Sequence, residues 1–175
     1  MSQEDQIRQL ARRFLDEALP DQGTERIALG ADHGGFQLKE ALKQHLTKQG
    51  YDTLDCGTHS KDSVDYPDFA HAVAVKVAEG ACRWGIVVDG AGIGSAMMAN
   101  KVPGVRAALC YDVSSARNSR EHNLANVLTL GAGLIGEGLA RQIVDTWLAT
   151  PWGGDRHARR IQKLMDLERR YLRSS

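Results

Sequence analysis

The sequence predicts an α/β fold: a Rossmann-like three-layer α/β/α sandwich around a five-stranded, mainly parallel sheet, preceded by an N-terminal amphipathic helical extension. Three observations predict it. Short apolar runs alternate along the chain with segments of helical period. The runs are apolar at successive positions, as in Ile86-Val87-Val88, which suits strands covered on both faces. Several runs also end on small or polar residues, where such sheets place their loops.

Residues 2–19 read as an amphipathic helix, with Ile7, Leu10, Phe14 and Leu15 on one face and charges on the other. Pro20 and Gly23 break the pattern, so residues 1–25 form an extension and linker before a domain spanning 26–175. Residues 26–32 read as the first strand and 35–50 as a helix closed by Gly50. A second strand covers 51–57, and a helix opened by Pro67 covers 67–80. The central strand, read from the apolar run Ile86-Val87-Val88 that ends on Asp89, runs into a glycine-rich loop and a helix through about Lys101. Strands at 105–111 and 126–132 bracket a helix at 113–121, and helices at 136–149 and 156–173 follow.

Composition excludes several classes. The 175 residues suit one domain, and 42% hydrophobic with 25% charged content is ordinary for a soluble protein. A formal net charge of zero gives no sign of nucleic acid or of a membrane surface as partner. No apolar run approaches the roughly 20 residues that span a bilayer, and the N-terminus lacks the apolar core of a secretory signal. Cys56, Cys82 and Cys110 form no CxxC and read as reduced thiols in a cytoplasmic protein, most simply as small apolar residues.

Chemistry-bearing residues border the strands. Asp32 and His33 follow the first, Tyr66 precedes a helix, Asp89 follows the central strand, and His122 and Asn123 precede the last. They are expected together at the carboxyl edge of the sheet, where such folds bind ligands. The loop "DGAGIGSA" matches neither G-x-G-x-x-G nor a Walker loop. Its glycines still let backbone N–H groups approach an oxygen closely, of a phosphate or of an enolate. Asp89 stands at its mouth, where such turns usually receive an anion. Arg156 and Arg160 lie one helical turn apart, either as a phosphate-binding pair or as a solvated face paired with Asp166 and Glu168.

"GADHGGFQLK", "DYPDFA", "GAGIGSAMMANKVPGVRAAL", "SREHNLANVLTLG" and "RHARRI" together resemble the ribose-5-phosphate isomerase B and galactose-6-phosphate isomerase family, over about residues 26–171. The resemblance implies an aldose–ketose isomerase for a small sugar phosphate, ribose-5-phosphate or a related tetrose or hexose phosphate. It implies a cis-enediol intermediate and neither metal nor organic cofactor. It assigns ring opening to His122 assisted by Asp32, and the phosphate to His33, Arg156 and Arg160. Asn123, Tyr66 and Asn100 line the sugar, and the N–H groups of the loop holding Gly90, Gly92, Gly94 and Ser95 take the enediolate oxygen. Two chains build each site, so a homodimer or dimer of dimers is implied.

The chain also departs from that pattern. Where ribose-type members carry a catalytic cysteine and a threonine, it has Asp89 and Ala91. Where a second branch uses glutamate it has Ser95, and where many members carry a phosphate-binding arginine it has Gly133. Asp89 then stands as the replacement base, with a non-catalytic sugar-phosphate binder or partner subunit as the alternative. Residues 1–19, outside the resemblance, pack on their own domain or dock on a microcompartment shell protein; their balanced charge disfavours a membrane.

Overall fold

The structure, a computed structural model, describes residues 25–173 apart from the side chains at 155, 156 and 173. The predicted extension, and with it the shell-docking reading of residues 1–19, lies outside the described residues. The elements are β1 (Ile27–Ala31), α1 (Phe36–Lys48), β2 (Thr53–Asp55), α2 (Tyr66–Ala78), β3 (Trp84–Asp89) and α3 (Ile93–Ala99). They continue as β4 (Ala107–Leu109), α4 (Val113–Glu121), β5 (Val127–Gly131), α5 (Glu137–Ala149) and α6 (Asp155–Arg173).

The five strands lie in the order β2-β1-β3-β5-β4, and every pairing is parallel. The sheet is thus wholly rather than mainly parallel. Its three inner strands, β1, β3 and β5, are buried at every position, which is why they read as unbroken apolar runs. The edge strands β2 and β4 are only half-buried and three residues long.

Alternation along the strands divides the core in two. Ile27, Leu29, Ile86, Val88, Leu128 and Leu130 face Leu38, Leu42 and Leu46 of α1 and Ile143, Val144 and Trp147 of α5, with Ala116 of α4. On the other face Ala28, Val87 and Val127 meet Ala70, Val73, Ala74 and Val77 of α2 and Ala99 of α3. Asp89 is two residues beyond Val87, so it shares the face covered by α2 and α3.

The first described strand, β1, lies inside the sheet, next to its edge strand β2. The chain moves outward to β2, then crosses β1 to reach β3 on the other side. The C-terminal ends of β1 and β3 therefore border the switch point where open α/β sheets bind ligands. Cys82 and Cys110 are buried and Cys56 is half-buried. Burial pushes the Cys82 thiol up to about 11, as suits an apolar packing residue.

Candidate active site

The loop after β3 is organised around Asp89, which is only 4% exposed. Its Oδ1 accepts the Ala91 N–H at 2.8 Å and the Gly92 N–H. Its Oδ2 accepts the Ser95 N–H at 3.0 Å and the Ser95 hydroxyl at 2.5 Å. Four donors thus meet the roughly four acceptor positions of one carboxylate. The glycine-rich turn does hold an anion, and that anion is the chain's own side chain, capping α3.

Glycine is required where this loop folds tightly. Gly92 has φ +76°, and a Cβ there would lie 2.5 Å from Leu109 Cδ1. A Cβ on Gly94 would lie 2.5 Å from the Tyr66 ring. That close approach sets Tyr66, at the start of α2, against the glycine loop. Tyr111 donates its hydroxyl to Ala91 O at 2.7 Å, and Thr129 donates to Gly92 O at 2.9 Å. Neither was singled out in the sequence. Tyr111 follows β4 at the same carboxyl edge, and that position was the signal available.

The loop after β1 lies alongside. Asp32 Oδ1 accepts the Gly35 N–H at 2.9 Å, and a Cβ on Gly34 would be 3.8 Å from Gly90 N. His33 is exposed, with Nδ1 3.1 Å from Val64 O and 3.2 Å from Val64 N. Val64 belongs to a loop secured through Lys39. That lysine is fully buried and donates to Asp55 Oδ1 at 2.6 Å and Thr58 O at 2.8 Å. Burial works to raise the Asp55 pKa, but the bonds from Lys39, Lys43 and the Gly57 N–H outweigh it and hold the carboxyl well below its usual range.

His122 and Asn123 do not join this group. They precede β5, so they stand at the opposite, N-terminal edge of a wholly parallel sheet; the expectation of one shared edge is corrected here. The following segment confirms the placement: Asn126 O accepts from Gly85 N at the start of β3, and Asn126 N donates to Arg106 O just before β4. The five steps along β3 separate the edges by about 17 Å. At this far edge the His122 ring stacks on His157 at 4.3 Å, and Asn118 Nδ2 lies 2.9 Å from His122 Nδ1. His157, unremarked in the sequence, is buried at the start of α6. Asn123 and Arg160 are exposed, and the Arg156 side chain lies outside the description.

Asn100 also lies on this side, at the end of α3. Its amide donates to Ala96 O and Ala107 O at 2.9 Å, and its Oδ1 accepts the Ala107 N–H at 2.8 Å. The side chain thereby ties α3 to β4. On α6, Asp166 pairs with Arg169 at 2.7 Å, and Glu168 accepts the Gly104 N–H at 3.0 Å. No group of metal-ligating side chains occurs among the described residues.

The family model described as Ribose/Galactose Isomerase matches residues 27–164. The ribose-5-phosphate isomerase B of Escherichia coli K12 is 42% identical over 146 residues, covering 83% of this chain and 98% of that protein. The structure of the Clostridium thermocellum ribose-5-phosphate isomerase B is 50% identical with a TM-score of 0.82, over 83% of this chain and 99% of that one. The Mycoplasma genitalium enzyme, solved with bound ribulose-5-phosphate, is 38% identical with a TM-score of 0.80, over 82% and 96% of the two chains.

Proposed function

The chain belongs to the ribose/galactose isomerase family, and on that premise we propose that it interconverts an aldose phosphate and its ketose isomer through a cis-enediol, with Asp89 moving the proton. The observation that carries this reading is the place of Asp89. It is a buried carboxylate at the C-terminal end of the central strand, beside the switch point, the loop holding Asp32 and His33, and Tyr66 at the start of α2.

Asp89 removes the proton from C2 of the open-chain aldose. The C–H electron pair forms the C1–C2 double bond, and the enediolate oxygen takes the negative charge. A proton passes from the C2 hydroxyl to O1, the charge left on O2 forms the C2 carbonyl, and the same carboxyl returns its proton to C1. Since Ala91, Gly92 and Ser95 direct their N–H groups at Asp89, the enediolate oxygen falls to the N–H groups of Gly90 and Gly94. Oδ2 becomes available when the Ser95 hydroxyl rotates from it to the substrate. Ring opening by His122 with Asp32, and phosphate binding by His33, Arg156 and Arg160, then need a second copy. Asp32 and His33 share the edge of Asp89, while His122 stands on the opposite edge beside the start of α6, which carries Arg156 and Arg160, so the N-terminal edge of a partner completes each site in a homodimer or dimer of dimers. Asn123 of the same edge, with Tyr66, contacts the sugar.

A panel of tetrose, pentose and hexose phosphates in deuterated water tests this on the pure protein. The expected result is turnover of one of them with exchange at C2. Binding with no exchange would make the chain a sugar-phosphate binder that needs a second, homologous subunit, the reading favoured by the fully hydrogen-bonded state of Asp89.

A further inference from the structure

The N-terminal edge holds a cavity of about 430 Å³ that the isomerase reading does not use. Its walls include Arg83, Trp84, Arg120, Leu124, Leu148 and Trp152. Arg120 is 5% exposed, and its guanidinium carbon lies 4.0 Å from the Trp84 ring and 5.1 Å from that of Trp147. One of its terminal nitrogens donates to Ala125 O, while its buried Nε has no hydrogen-bond partner. Arg83 places a second guanidinium 4.9 Å from the same Trp84 ring. Its acidic partner is Glu25 at 3.6 Å, whose side chain is 73% exposed, so the pair is weak.

Two cations thus share one indole, and among the described residues no acidic side chain lines the cavity. Burial, then repulsion from Arg83 and Arg106, pulls the Arg120 pKa down to about 10. A buried charge without a counter-charge is costly, and an anion seated here would relieve it. Apart from Thr150 the remaining wall is aromatic and aliphatic, which suits a flat apolar body.

We propose that this cavity binds a small organic anion that carries a flat ring together with a carboxylate or phosphate, the anion meeting Arg83 and Arg120 and the ring meeting Trp84 and Trp152. The site is separate from the sugar-phosphate site, since Arg120 turns inward to the two tryptophans while the neighbouring His122 stacks on His157.

Indole N–H resonances of the full chain report the test. AMP and benzoate are titrated in turn, with adenosine supplying a ring alone and inorganic phosphate an anion alone. Saturable shifts of Trp84 and Trp152 are expected with AMP, benzoate or both, and adenosine and phosphate should bind at least about tenfold more weakly. Arg83→Ala, at a partly exposed position, should weaken binding by a similar factor, while His33→Ala should leave it intact. The proposal is overturned if neither ringed anion shifts these resonances. It is equally overturned if adenosine matches AMP, or if His33→Ala abolishes the shifts and Arg83→Ala does not. Failure here leaves the isomerase reading standing, because that reading is scored by C2 exchange.

Discussion

Asp89 is held by three backbone N–H groups and one hydroxyl, and only the hydroxyl can leave without unfolding the loop. Two substitutions therefore separate its roles. Asp89→Asn keeps the shape but puts an NH₂ where one oxygen accepts, so it should lower kcat by about 10² to 10⁴, as loss of a general base does. Ser95→Ala frees Oδ2 and keeps the backbone bonds. If Asp89 is the base, this variant should retain turnover with kcat within about tenfold of the parent, while Asp89→Asn does not. Equal loss in both, measured as kcat and as C2 exchange, would assign Asp89 to capping alone. The sequence showed this carboxylate and its loop, but not the direction of the N–H groups. Those depend on the φ of Gly92 and the packing of Gly94 on Tyr66, which no motif records.

The element scale adds a pH dependence. Lys39 and Lys43 of α1 reach across to Asp55 at the end of β2, both at 2.6 Å. The Asp55 pKa is lower in the folded chain than in the unfolded one. Its stabilising contribution is thus complete above the unfolded value of about 3.9 and is lost as pH falls through the folded value. Unfolding free energy measured by denaturant titration should decline below about pH 4, and less steeply in Asp55→Asn. That variant should also be less stable near neutrality by about 1 to 2 kcal/mol, because the fully buried Lys39 ammonium loses one carboxylate and keeps only Glu40 at 3.0 Å and Thr58 O at 2.8 Å. An unchanged acid limb in Asp55→Asn would remove Asp55 from this account. The two edge strands show where element boundaries were hard to read. The predicted strands at 51–57 and 105–111 shrink to three residues each, although the backbone of Asp52, Cys56, Gly57 and Cys110 still bonds to the neighbouring strand. The inner strands matched their apolar runs closely, since burial on both faces leaves its mark at every position.

At the scale of the whole molecule the site divides by edge. Residues that follow a strand and residues that precede one look alike in a sequence, yet a parallel sheet sends them to opposite ends. That is why His122 and Asn123 were expected beside Asp89 and lie at the opposite edge instead. The division makes a prediction about assembly. In a symmetric pair, each site takes Asp89 from one copy and His122 from the other. Asp89→Asn and His122→Ala chains, each nearly inactive alone, are unfolded together and refolded at equal amounts. A mixed pair then holds one site with both defects and one with neither. Random pairing makes half of the dimers mixed, so activity should return to about one quarter of the wild-type value. The parent chain treated alike sets the reference, and gel filtration confirms that both variants assemble. If mixing restores nothing while mixed pairs form, His122 and Asp89 serve the same site within one chain or no site at all, and the shared-site reading fails.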